Sequence, residues 1–127
     1  MEKLFIEGSD DTPEVLLNPE NDKFEIKGMS MPEDVAGFYD PVIDWVEEYA
    51  ENAKDKTVFN FKFSYFNTAS SKAIMDIMMG LKDIEDNGKE ILINWYYPED
   101  DDDMEEAGEE YEDITEAPFK HISYKPE

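Results

Sequence analysis

Hydrophobic and polar positions follow two different periods along this chain, and the switches between them mark out its elements. Leu4 to Ile6 and Glu14 to Leu17 read as short strands. After the turn-forming run Asn18-Pro19-Glu20-Asn21-Asp22 comes Lys23-Phe24-Glu25-Ile26-Lys27, with Phe24 and Ile26 on one side and charge on the other. Two such runs around a turn predict a hairpin, and Gly28 is expected to end it. Ser30-Met31-Pro32-Glu33 then reads as a helix start, with a capping hydroxyl, a proline in the first turn and an acid three residues after the cap. The helix that follows carries Val35, Phe38, Tyr39, Val42, Val46, Tyr49, Ala50 and Ala53 on one stripe, with Trp45 at its border. Pro41 interrupts the pattern, which predicts a kink or two helices, the second capped by Asp40.

The alternation returns beyond Asp55-Lys56. Phe59, Phe61, Phe63 and Tyr65 point one way, and Asn60, Lys62 and Ser64 the other, as in a half-buried strand. Ile74, Ile77, Met78, Leu81 and Ile84 then fall at helical spacing, and Asn87-Gly88 closes that helix. Lys89 to Tyr97 is apolar on both faces in its middle, predicting a strand near the sheet centre covered on both sides or nearly so. Met104, Ala107, Gly108, Tyr111 and Ile114 form a thin helical stripe that Pro118 stops, and Phe119 to Tyr124 reads as a last strand. The order β-β-β-α-β-α-β-α-β predicts an α/β fold. Residues 1–127 are expected to form one domain around a mixed sheet with parallel central strands and an N-terminal antiparallel hairpin.

Charge narrows what such a domain can bind. The 127 residues include 34 acidic and 11 basic ones, a net charge of −23, and every basic residue is lysine. With no arginine to read phosphates or guanine edges, and with this negative field, nucleic acid and anionic membrane surfaces are excluded as partners. Twelve of the eighteen residues in the acidic segment from Glu99 to Glu116 are carboxylates and none is basic, so about half the net charge sits there. Asp100 to Asp103 lacks the glycine and glutamate spacing of an EF-hand. The absence of cysteine removes disulfides, thiolate metal sites and a cysteine nucleophile. No signal peptide or membrane-length apolar run is present, and a cytoplasmic location is expected.

Between the aromatic strand and the second long helix lies Tyr65-Phe66-Asn67-Thr68-Ala69-Ser70-Ser71-Lys72. A hydroxyl cluster here meets the unpaired N–H groups and positive dipole end of a helix N-terminus, a setting that favours an anion. The same residues also suit a plain helix cap, with Asn67 or Thr68 as the capping side chain. Elsewhere catalytic chemistry is thin. His121, the one histidine, falls in a strand, and no carboxylate pair stands out by spacing. No metal site and no cofactor motif is evident.

Three segments carry a resemblance that spans nearly the whole chain: Gly28-Met29-Ser30-Met31-Pro32-Glu33-Asp34, Phe38-Tyr39-Asp40-Pro41-Val42-Ile43-Asp44-Trp45, and the Tyr65 to Lys72 junction. With the element order, they resemble the STAS or anti-anti-sigma-factor architecture, and more closely the SiaC family of regulatory phosphoproteins. The resemblance implies a non-enzymatic switch in which Thr68 is phosphorylated by a dedicated kinase and released by a phosphatase; on the residues themselves Ser70 and Ser71 are alternate acceptors, though each also suits a first-turn hydroxyl satisfying backbone. It further implies that the unphosphorylated form binds a signalling partner, such as a diguanylate cyclase, through Asn67, Thr68, Ala69, Ser70, Ser71 and Lys72. Two other readings fit the residues: an acidic adaptor without a phospho-switch, and a small-molecule-handling enzyme with a pocket near Thr68.

Overall fold

The computed structural model describes residues 1–126. Its elements are β1 (Leu4–Ile6), β2 (Glu14–Asn18), β3 (Lys23–Ser30), α1 (Val35–Glu51), β4 (Lys56–Phe66), α2 (Thr68–Asp86), β5 (Glu90–Pro98), α3 (Asp102–Thr115) and β6 (Phe119–Tyr124), with a turn of 3-10 helix at Pro19–Asn21. The element order is the one the periodicities predict. All six strands form one sheet in sequence order, β1-β2-β3-β4-β5-β6. The first two pairings are antiparallel and the last three parallel.

That monotonic order decides where the core lies. Each parallel connection takes a helix across the sheet with the same hand, and each step moves in the same direction, so all the helices land on one face. Val15, Leu17, Phe24, Ile26, Phe59, Phe61, Phe63, Ile91, Ile93 and Trp95 point into one cluster with the apolar sides of α1, α2 and α3. The alternate residues Leu16, Val58, Asn60, Leu92, Asn94 and Tyr96 are only half-buried on the other face. The expectation that β5 is covered on both sides is therefore corrected, and β5 is the fifth of six strands rather than a central one. Its Ile91-Leu92-Ile93 run reflects a partly wet second face rather than a second helical layer.

Four other local expectations change. Gly28 does not end β3. It lies at φ 112°, where the register against β4 shifts, and the strand runs on to Ser30. Asp34 rather than Ser30 caps α1, its carboxylate accepting from the Gly37 N–H at 3.0 Å. The helix then runs unbroken through Pro41, with neither the second helix nor an Asp40 cap. Tyr39 and Val42 are both fully buried on either side of that proline, and their packing holds the helix together across the missing hydrogen bond. The acidic helix α3 is stopped by Glu116 in the left-handed conformation, φ 55°, before Pro118 is reached.

Two close packings tie α2 and α3 to the sheet. Trp95, fully buried, donates its indole N–H to the Met104 carbonyl at 2.9 Å. It stacks so tightly under Gly108 that an ideal Cβ there would stand 2.3 Å from the indole Cδ1. At the carboxyl end of β3, Ser30, Tyr39 and Ser70 are each fully excluded from solvent. Ser30 Oγ lies 2.5 Å from the Tyr39 hydroxyl and 3.0 Å from Ser70 Oγ. The Ser30 carbonyl accepts from both Ser70 Oγ at 3.2 Å and the Asn67 N–H at 3.1 Å. The end of β3, the first turns of α1 and the start of α2 are thus joined by one buried hydroxyl network, each member with a partner.

Gly108→Ala is expected to destabilise the protein by about 1–3 kcal/mol, because the added methyl must displace the Trp95 indole. Urea unfolding with tryptophan fluorescence measures it. A gain of stability, as helix propensity alone would give, would show that Trp95 has room to move. Burial pushes the Tyr39 phenol up to about 12 from an ordinary 10.0. Below about pH 10 both folded and unfolded phenols are protonated and this contribution is intact, whereas from pH 10 upward the unfolded chain ionises first. Stability should fall through that window to about 12, and Tyr39→Phe should flatten this alkaline loss while costing about 1 kcal/mol near neutrality.

Candidate functional site

Thr68 opens α2 at the carboxyl end of β4, directly after a strand that carries Phe61 and Phe63 into the core. Asn67 is the cap, its side-chain oxygen accepting from the Ser70 N–H at 2.9 Å. The capping task is therefore taken by Asn67, and the Thr68 hydroxyl is left exposed at the first helical position with no partner among the hydrogen bonds of the described residues. The N–H groups of the first turn and the positive end of a 19-residue helix lie beside it.

The remaining residues of the junction part company according to helical angle. Ser70, two positions on, faces the opposite side of α2 and is fully buried in the Ser30–Tyr39 network. It is sealed from any kinase while the domain is folded, so of the two alternate acceptors Ser70 is not available. Ser71 is half-buried, its Oγ 3.0 Å from the Tyr111 hydroxyl of α3, which donates in turn to the Ser71 carbonyl at 3.2 Å. Burial pushes the Tyr111 phenol up, so it stays a neutral donor. Ala69 and Lys72 are exposed, and among the described residues Lys72, one turn after Thr68, pairs only with Asp76 at 3.7 Å.

Thr68, Asn67, Ser71 and Lys72 stand at one end of a groove of about 520 Å³ between α2 and α3, completed by Phe66, Met75, Ala107, Glu110, Tyr111 and Ile114. Its floor and far wall are apolar. Ile114, read from periodicity as part of the core stripe of α3, is 64% exposed at this rim. The stripe that packs is Met104, Gly108, Tyr111 and Thr115, and Ile114 lies just beside it. Met75 and Ile114 were thus missed as groove residues. The only sequence signal was that each sits one helical position off its buried stripe.

The groove's outer wall is strongly anionic. α3 carries eight carboxylates in fourteen residues and no base, three of them in the first turn where the helix dipole favours them. Ionisable groups inside the groove are Lys72, Glu110 and Tyr111. Among the described residues no base is paired with the Thr68 hydroxyl. His121 lies outside it on β6, with Nε2 2.8 Å from Glu112 Oε1. Among the described residues no cluster of three or more potential metal ligands occurs, and no helix is long and apolar enough to cross a membrane.

Comparison with known proteins matches this geometry to one group. A protein of Pseudomonas aeruginosa (strain UCBPP-PA14), described as uncharacterized, is 29% identical over 119 residues, covering 94% of each chain. The crystal structure of apo-SiaC from Pseudomonas aeruginosa superposes with a TM-score of 0.87 at 28% identity, over 96% of this chain and 99% of that one. A chain from the crystal structure of the diguanylate cyclase SiaD in complex with its activator SiaC, from the same organism, gives a TM-score of 0.88 at 27% identity, over 95% and 99%. The family model for SiaC family regulatory phosphoproteins matches residues 6–124, and the chain accordingly belongs to that family, one of regulators rather than of enzymes.

Proposed function

We propose that this protein is a phospho-regulated activator. With Thr68 free it docks on a signalling enzyme of the diguanylate cyclase type, and it releases that enzyme when a kinase phosphorylates Thr68. A phosphatase resets it. The observation that carries this reading is the exposed Thr68 hydroxyl at the N-terminus of α2, relieved of capping by Asn67 and set at the mouth of an apolar groove. Membership of a family of regulatory phosphoproteins, and the complex in which the related SiaC is the activator of SiaD, support the choice of switch and partner.

The physics of such a switch is local. Phosphate would add about −1.5 to −2 charges at this position. The first-turn N–H groups and Lys72 are there to receive it, so folding tolerates the modification. A partner covering the groove does not, because its apolar residues over Met75 and Ile114 would have to desolvate a dianion. The acidic wall of α3 calls for a partner surface with basic groups around that apolar centre, and its field speeds their encounter at low salt. Such a protein would act in the cytoplasm, where its kinase and cyclase meet ATP and GTP. An adaptor that uses the acidic wall without any switch is the second reading, favoured by the density of carboxylates on α3. An enzyme at the groove has less support, since Thr68 has no base beside it.

Incubation with the cognate kinase and ATP should add one phosphate, at Thr68. Thr68→Asp should weaken cyclase binding at least tenfold while unfolding within about 1 kcal/mol of the parent, and Thr68→Ala should bind whether or not kinase is present. Isothermal titration with the purified cyclase measures both. Equal binding by all three proteins ends the switch reading. If binding is instead lost on neutralising Glu106, Glu110 and Asp113 together, the adaptor reading replaces it.

A further inference from the structure

The one-sided arrangement of helices leaves the opposite face of the sheet bare, and its composition is unlike the rest of the molecule. The cross-strand rows of this face are Phe5, Leu16, Glu25, Asn60, Asn94 and Lys120 in one, and Glu14, Lys27, Lys62, Tyr96 and Ile122 in the next. Val58 and Leu92 pair in the row beside them, level with Lys23. Among the described strand residues of this face, Lys23, Lys27, Lys56, Lys62 and Lys120 therefore stand with only Glu14, Glu25 and Glu90. Five of eleven lysines meet three of thirty-four acids here, so this surface carries a small positive charge on a chain of −23.

The ion pairs sharpen the imbalance. Lys27 takes up both Glu14 and Glu25, at 3.2 and 3.6 Å, and Lys56 takes Glu90 at 3.4 Å. Glu90 is thereby neutralised and Glu14 and Glu25 share one lysine, while among the described residues Lys23, Lys62 and Lys120 make no ion pair. The Lys62 ammonium is held instead over the Tyr124 ring, 4.7 Å from its centroid, with Tyr96 at 5.9 Å. Between these lysines lie Leu16, Val58, Leu92 and Ile122, half-buried, and Phe5, 51% exposed. A hollow of about 360 Å³ opens beside Lys62 where Ser9 and Thr12 approach Tyr124.

An α/β sheet with aliphatic residues on both faces ordinarily carries helices on both. We infer that this bare face is a second docking surface, and that its occupant is an amphipathic helix of a partner protein with an acidic polar side. Its apolar residues would cover the Leu16, Val58, Leu92 and Ile122 band, and its carboxylates would meet Lys23, Lys62 and Lys120. Because the face lies across the sheet from the α2–α3 groove, a partner here would be held independently of the one regulated at Thr68. The inference rests on charge placement and topology, and stands apart from the phospho-switch.

The test exploits the sign of the whole chain, which repels anions. At about 0.15 M salt the screening length is about 8 Å, so only a local positive surface retains an anionic helix. A synthetic helical peptide with a leucine apolar face and a glutamate polar face is titrated into the labelled protein and followed by amide chemical shifts. A leucine–lysine peptide and a single-stranded oligonucleotide are run alongside. The acidic peptide should bind, with shifts on β3 to β6 and none confined to the groove. Lys62→Glu with Lys120→Glu should weaken it at least tenfold, and Thr68→Asp should leave it unchanged. Should the double variant unfold, Lys120→Glu alone, on an exposed side chain, should still weaken binding about threefold. No binding of the acidic peptide, a footprint on the groove, indifference to lysine reversal, or tighter binding of the oligonucleotide at this face each overturns the inference.

Discussion

The handed, one-directional stepping of the parallel strands governs the rest of this molecule. Once β3, β4, β5 and β6 are laid side by side in sequence order, every connecting helix falls on one face. The core then has only one possible location, between that face and the three helices. A fold of two layers must reach its packing density with fewer contacts than one of three. It does so here with aromatics: Phe61, Phe63, Phe66, Trp95 and Tyr111 pack edge to face and offset, with ring centroids about 5.5 to 6.3 Å apart. Such pairs contribute roughly 0.5–1.5 kcal/mol each beyond their burial. Gly108 belongs to the same solution, since it lets α3 settle directly on the Trp95 indole.

The same constraint places the candidate site. Parallel strands all deliver their carboxyl ends to one edge, and the start of α2 arrives there beside α3. What distinguishes this junction from any strand-to-helix turn is the division of labour among its polar side chains. Asn67 closes the helix end, Ser70 turns inward to bond with Ser30, Ser71 clasps Tyr111, and of the three aliphatic hydroxyls only Thr68 is exposed without a partner among the described residues. The buried Ser30–Tyr39–Ser70 network holds the first turn of α2 against β3 and α1, so the Thr68 hydroxyl is presented from a rigid support. This accounts for the Gly28-Met29-Ser30 segment, whose serine looked like a helix cap and instead works beneath the site.

Charge is organised on the same plan. The carboxylates concentrate on α3 and the outward sides of the helices, while the bare sheet face collects Lys23, Lys62 and Lys120, which make no ion pair among the described residues, around an apolar band. A chain this acidic opposes its own compaction and repels copies of itself. Concentrating the excess on the helical side leaves the strand residues of the open face with a small positive charge, five lysines against three glutamates. The molecule therefore offers two surfaces of opposite electrostatic character, separated by the thickness of one sheet.

Periodicity alone determined the number, kind and order of the elements, because the twofold and 3.6-residue repeats are properties of the backbone that side-chain patterns must match. It also located the Thr68 junction, where one repeat gives way to the other. It did not determine how a hydroxyl could be buried there. Helical spacing sets Ser70 on the buried stripe, four residues before Ile74, with Thr68 off it, but only Ser30 on the neighbouring strand supplies the partner that satisfies Ser70. Nor could it place Ile114 or β5: an apolar residue in a stripe, or an apolar run in a strand, records a preference for burial, whereas what covers it depends on elements far away in sequence. That Pro41 sits inside an unbroken helix follows for the same reason, since burial of Tyr39 and Val42 against the sheet outweighs one lost hydrogen bond. Local pattern specified the parts, and tertiary packing, which sums contacts across the whole chain, decided which of their surfaces were left for function.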